Sequence, residues 1–287
     1  MIVITGATGQ LGSQTVAALL DRVPADQIAV SVRDPTGAAA LSARGVRVRH
    51  GDFADPASLA TAFEGATQVL VVSAGVRGEA AIAYNVTAID AARAAGAQRV
   101  LYTSHQAAAG DSLFPPMLTH AATEHHLLDS GATFTSLRNG FYASTVPRLI
   151  GDALRTGQLT APADGPVSWT THADLAQATA AVLAEPGRVD GISPPLTAPD
   201  TVDLAGVATM LSELTGRQIS RTVAADDQWR ADAIAGGVPE FAADFALGQF
   251  RAARRGEFNT TDPLLEDLLG RPATPLRSVL AELVATM

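Results

Sequence analysis

Gly6, Gly9 and Gly12 stand three residues apart in the run Gly6-Ala7-Thr8-Gly9-Gln10-Leu11-Gly12, directly after the apolar stretch Ile2-Val3-Ile4-Thr5. That stretch reads as a buried strand, and Leu11 to Leu20 has the apolar spacing of a helix. A glycine turn between strand and helix can bind a phosphate ester through main-chain groups. Gly6 permits the tight turn, Gly9 lets the backbone approach a pyrophosphate, and Gly12 lets helix and strand pack closely. Thr8, Gln10 and Leu11 belong to the same phosphate-facing turn. The helix N-terminus then offers free N–H groups and the positive end of its dipole to the anion.

In such a unit the position about twenty residues past the glycines meets the adenosine ribose. Here it reads Val32-Arg33-Asp34-Pro35. Arginine accommodates a 2′-phosphate, while Asp34-Pro35 has the chemistry of a turn. The expected cofactor is therefore NADPH rather than NADH. Asp52 can accept from an adenine amino group and Phe53 can stack near the base, although Asp52 could equally cap a turn. Ser73, Ala74 and Gly75 are small enough for close approach to ribose and pyrophosphate. Thr103 and Ser104 end a later strand and reach toward the nicotinamide, unless their hydroxyls serve the local backbone.

All 20 basic residues are arginine, so no lysine base, Schiff base or P-loop lysine exists here. Six histidines remain for chemistry near neutral pH. His120 and Glu124 are four apart on a predicted helix, so they share a face and can form a pair that raises the basicity of the histidine. A solvated pair is the plainer reading. His50 reads as packing and His172 as part of a helix start. No metal-ligand spacing appears, so no metal is expected.

The elements that must position these groups alternate. Strands are predicted at 27–32, 46–50, 68–72, 99–103 and 132–137. Helices fall at 38–44, from Pro56 behind an Asp55 cap, at 84–95 and at 118–130. Apolar strands with helices between them imply an α/β fold, a doubly wound parallel Rossmann-type sheet with ligands at the carboxyl ends of its strands. The second half is punctuated by proline and glycine and is mostly helical, with helices at 203–214, 225–235, 240–255, 263–269 and 275–285. It reads as a smaller C-terminal substrate lobe. The expected division is 1–140 for the dinucleotide-binding domain, with 167–185 returning to it, and 141–166 plus 186–287 for the lobe. Phe241, Phe245 and Phe250 read as helix packing, and Trp169 and Trp229 carry no functional expectation.

The chain resembles the NmrA-like branch of the atypical short-chain dehydrogenase/reductases, particularly its quinone oxidoreductase and triphenylmethane reductase group. The matching pieces are Ile4 to Gly12, Val32-Arg33-Asp34-Pro35, Gly51-Asp52-Phe53, Asn85 to Gly96 leading to Tyr102-Thr103-Ser104, His120 to Glu124, and Leu137-Arg138-Asn139-Gly140-Phe141-Tyr142. The resemblance implies NADPH as cofactor, with Asn139, Gly140, Phe141 and Tyr142 lining the nicotinamide and substrate side. The chain departs from the wider family at the proton relay. Where relatives keep a lysine after the Thr-Glu pair it has His125, and four residues earlier stands Ala121, not tyrosine. His125 can take over a hydrogen bond to the nicotinamide ribose but not a permanent charge.

Quinone reduction asks less of the protein, because the acceptor is electron-poor and the product oxyanion is a stabilised phenolate. Tyr142, His120 and His125 are the candidate proton donors. The expected activity is thus NADPH-dependent hydride transfer to a quinone or similar acceptor. A reductase of activated carbonyls, or a redox sensor that binds NADP(H) without turnover, is the alternative. The partner is a small-molecule acceptor, and a homodimer is one candidate assembly. The net charge of −9 disfavours nucleic acid, and Arg251, Arg254 and Arg255 read as a solvated helix face. No apolar run approaches a membrane span. The chain has no cysteine and opens on strand residues. No disulfide or signal peptide is therefore expected, and the cytoplasm is the expected compartment.

Overall fold

A computed structural model describes residues 1–286. Its first half runs β1 (Ile2–Thr5), α1 (Gln10–Leu20), β2 (Ile28–Val32), α2 (Ala39–Ala43), β3 (Arg47–His50), α3 (Pro56–Ala62), β4 (Gln68–Val71), α4 (Glu79–Ala94), β5 (Arg99–His105), α5 (Pro115–Asp129) and β6 (Phe134–Asn139). The predicted strands are all present. Asp55 caps α3 by accepting from the Ala57 N–H at 3.1 Å, with Pro56 in the first turn. Helix α4 starts five residues before the expected Tyr84. Its start is set by Gly78, at φ +65°, rather than by the apolar spacing that begins later.

The second half runs β7 (Phe141–Tyr142), α6 (Val146–Ile150), α7 (Ala153–Thr156), β8 (Gln158–Pro162), β9 (Trp169–Thr170), α8 (His172–Ala184) and β10 (Gly191–Ile192). It continues through α9 (Leu204–Thr215), β11 (Ser220–Ala224), α10 (Asp226–Ala235), α11 (Glu240–Arg254), α12 (Leu264–Leu269) and α13 (Leu276–Ala285). The main sheet has the order β10-β6-β5-β4-β1-β2-β3, and every pair in it is parallel. The chain passes outward from β1 to β2 and β3, then returns to β4 on the other side of β1. That reversal opens a crevice beyond the carboxyl ends of β1 and β4, where this architecture binds ligands.

Two cores cover the sheet. One face packs Leu11, Val16 and Leu19 of α1 with Leu175 and Val182 of α8. The other packs Leu59, Phe63, Ile89 and Leu127 over Val3, Val69 and Val71. A third core builds the lobe from Phe114, Phe141, Leu159, Val207, Phe250 and Phe258. The division of the chain is less clean than its punctuation suggests. Gly191–Ile192 adds the seventh strand beside β6, and Leu265 and Leu268 of α12 sit in the α1–α8 core. Both lie in stretches assigned to the lobe. The pairs β8–β11 and β7–β9 form two short parallel ladders. His50, expected to pack, is exposed because β3 is the sheet edge. Among the described residues no helix is long and apolar enough to cross a membrane, and no cluster of His, Cys, Asp or Glu could hold a metal ion.

Candidate cofactor and acceptor site

The glycine loop takes the shape its spacing requires. Gly6 has φ +61°, a conformation that side chains rarely adopt. A Cβ on Gly12 would lie 2.2 Å from the Gly6 carbonyl oxygen, so only glycine lets α1 pass this close to the turn. Gly9 precedes α1 with no side-chain cap, and the first turn holds no acidic residue. The free N–H groups at this end therefore have neither an internal partner nor a competing anion, which suits a phosphate.

A cleft of about 440 Å³ opens beside this loop. It is lined by Gly6, Thr8, Gly9, Arg33, Asp52, Phe53, Ser73, Ala74 and Gly75, all expected from the sequence. Arg33 is exposed and makes no ion pair among the described residues. Asp34 instead turns back to accept from the Thr36 N–H and hydroxyl, at 2.9 and 2.7 Å, as turn chemistry predicts. Those bonds hold its carboxyl below the usual range. Asp52 lines the cleft, and its Oδ1 also accepts from the Ala54 N–H at 3.0 Å, as in a turn cap. Ser31 also lines the cleft, and its buried hydroxyl has no partner among the described residues. An uncapped helix end, an unpaired arginine and an orphaned hydroxyl around one cleft fit a phosphorylated dinucleotide.

Buried hydroxyls fix the wall of the cleft from behind. The Thr5 hydroxyl accepts from the Val72 N–H at 2.9 Å, and the Thr103 hydroxyl accepts from the Ser73 N–H at 2.9 Å. Thr103 thus supports the cleft rather than lining it. Gln10 is exposed in the first turn of α1, and Leu11 points into the core. Ser104 is buried with an unpartnered hydroxyl.

Ser73, Ala74 and Val76 are shared with a second, smaller pocket of about 90 Å³. His120 lines it, together with Arg77, Asn85, Pro115, Thr119 and Phe245. A chain of hydrogen bonds joins the two pockets. The Ala74 N–H donates to Asn85 Oδ1 at 2.9 Å, and Asn85 Nδ2 donates to the Tyr102 hydroxyl at 3.1 Å and the Thr123 hydroxyl at 3.3 Å. Tyr102 Oη lies 2.8 Å from His120 Nδ1. With the phenol donating to Nδ1, the imidazole proton sits on Nε2. Burial lowers the pKa of His120 to about 4, against a smaller opposing effect of Glu124. His120 is therefore a neutral N–H donor at neutral pH.

This overturns the expected His120–Glu124 pair. Glu124 turns to the sheet instead, where Arg138 Nε and Nη2 donate to it at 3.0 and 2.6 Å and the Ser136 hydroxyl at 3.0 Å. A guanidinium in two-pronged geometry outcompetes an imidazole that must be desolvated. His125 is corrected too. Its side chain is 77% exposed and lies 3.2 Å from Asp129, because its helix position faces solvent.

Asn139, Gly140, Phe141 and Tyr142 line neither pocket. Gly140 is pressed against Thr170, and Phe141 packs against Phe258 at 4.7 Å and His105 at 5.4 Å between ring centroids. Tyr142 packs against His172 with ring centroids 4.1 Å apart and planes tilted by 36°, and desolvation raises its phenol pKa. A half-buried phenol whose ionisation is disfavoured is a poor proton source. Both polar atoms of the buried Asn139 amide have no hydrogen-bond partner among the described residues. His105 was missed by the sequence reading. It backs His120 at 6.2 Å with rings nearly parallel, and burial holds it neutral. Its position at the carboxyl end of β5 was the available signal.

The model of the NmrA-like family matches residues 1–263. Quinone oxidoreductase 2 of Escherichia coli is 34% identical over 99% of this chain and 98% of its own. A crystal structure of the E. coli NADPH-dependent quinone oxidoreductase with NADPH superposes with a TM-score of 0.93, at 33% identity, over 99% of this chain and all of that one. The triphenylmethane reductase of Citrobacter gives 0.90 at 31% identity, covering all of this chain and 99% of that one. An NAD(P)H azoreductase of Xenophilus azovorans is 30% identical over 85% of this chain and 84% of its own. With the family model spanning the whole sheet and most of the lobe, the chain belongs to the NmrA-like family.

Proposed function

We propose that this NADPH-dependent oxidoreductase passes hydride to a quinone or a similarly electron-poor conjugated acceptor seated in the second pocket. The observation that carries the reading is the continuity of the two pockets through Ser73, Ala74 and Val76, with the neutral His120 on the wall of the smaller one. NADPH, when bound, supplies two electrons and a proton as hydride, which turns a neutral quinone into a hydroquinone monoanion that one solvent proton completes.

The residues divide the remaining work. Arg33 takes the 2′-phosphate, the Gly6–Gly12 turn and the α1 N-terminus take the pyrophosphate, and Asp52 and Phe53 take the adenine. Asn85 holds the Ala74 N–H and, through Tyr102, fixes the His120 tautomer. His120 donates an Nε2–H bond to the acceptor oxygen. It is no proton reservoir, since a pKa of about 4 leaves almost no imidazolium at neutral pH. That chemistry suits an acceptor whose reduced anion is already stable.

The test is NADPH consumption against a panel of quinones, activated carbonyls and cationic dyes, with NADH in parallel. Quinone turnover with a preference for NADPH is expected. Tight NADPH binding with no turnover across the panel would overturn the reading in favour of a redox sensor.

A further inference from the structure

At about 90 Å³ the second pocket is too small as it stands, since sites enclosing a small organic ligand measure about 300–1,000 Å³. One contact between the two halves of the fold narrows it. Arg77, in the segment joining β4 to α4, places its guanidinium carbon 4.1 Å from the Phe245 ring centroid and 5.9 Å from that of Phe241. Both rings belong to α11 of the lobe. Residues 75–80 are exposed, Phe241 is 66% exposed, and Gly78 follows at φ +65°. A solvent-exposed cation–π contact is weak, so this one can open at little cost.

Arg77 also differs electrically from everything around it. It makes no ion pair among the described residues, and among the residues lining this pocket it is the only one with a permanent charge. We propose that Arg77 and Phe245 form an acceptor clamp. An aromatic acceptor parts the pair and seats its ring beside Phe245, and the guanidinium selects acceptors that carry negative charge or acquire it on reduction. This rests on the reading of the second pocket as the acceptor site. A sulfonated or carboxylated quinone meets a complementary charge there. A cationic dye brings a like charge against Arg77, which opposes binding.

Calorimetric titration of the whole protein saturated with oxidised NADP tests the clamp without turnover. The probes are two anthraquinones of similar shape, one bearing a sulfonate and one a quaternary ammonium. The sulfonate is expected to bind about tenfold tighter or more, with the advantage shrinking as salt is raised. Arg77→Gln should bring the two probes to within about twofold, Arg77→Lys should restore part of the preference, and Phe245→Ala should weaken both alike. An unchanged preference in Arg77→Gln, or equal binding by the unaltered protein, overturns the clamp. Charge selection by Arg77 in a protein that never oxidises NADPH leaves the clamp standing and removes the reductase reading. Quinone turnover with no charge preference does the reverse.

Discussion

Replacing His120 by Asn separates a buried neutral imidazole from an ordinary one. The Asn side-chain oxygen can still accept from Tyr102, but nothing at the position titrates. In the native protein His120 has a pKa of about 4, against 6.5 for a free histidine. Between those values the unfolded chain binds the proton that the folded chain refuses, so stability falls as pH falls through this window and levels off below it. The gap corresponds to about 3 kcal/mol in full, at about 1.4 kcal/mol per pH unit. Integrated from about pH 7.5 to about pH 5, it amounts to about 2 kcal/mol. Urea unfolding of both proteins at the two pH values reads it directly. His105 is also buried and neutral; burial, the main cause, acts in both proteins, and only the smaller repulsion from His120 is lost in the variant. The native protein should lose about 2 kcal/mol more than His120→Asn on acidification. Equal losses, or an NMR titration of His120 near the ordinary histidine value, would refute the neutral-donor argument.

Other outcomes follow from the same geometry. Arg33→Ser should weaken NADPH binding by about tenfold to hundredfold, the worth of a bond to a charged group, and leave NADH binding unchanged in a fluorescence titration. Glu124→Gln strips the charge that Arg138 and Ser136 address. Breaking a buried pair costs about 3–5 kcal/mol, but Arg138 keeps 28% exposure, so about 1–3 kcal/mol is expected in urea unfolding. Gly12→Ala should displace the turn and abolish cofactor binding, because its Cβ would sit 2.2 Å from the Gly6 oxygen; a calorimetric titration with NADPH checks this.

The parts legible in sequence are those fixed by local chemistry. The glycine turn, the Asp55-Pro56 start, the Thr171 cap on α8 and the apolar strands each announce a backbone requirement within a few residues. Thr171 caps α8 by accepting from the Asp174 N–H at 3.1 Å. What was lost depends on partners distant in the chain. Strand β8 sits among proline and glycine and exists because β11 pairs with it. The four-residue spacing puts His120 and Glu124 on one helix face, but Arg138 on β6 decides where Glu124 points. The same spacing says nothing about Tyr102, which reaches His120 from the sheet. His125 occupies the position of a lysine in relatives, but its place on the solvent-facing side of α5 is a property of the packed helix alone.

The most direct test of the central claim is a single-turnover experiment. The protein, loaded with NADPH carrying deuterium or protium at the transferable position, is mixed rapidly with a quinone. Loss of the reduced-nicotinamide absorbance in one phase, slowed by the deuterium, is the predicted result, since the acceptor pocket continues directly from the cofactor cleft. Absorbance that persists while the cofactor stays bound would contradict it.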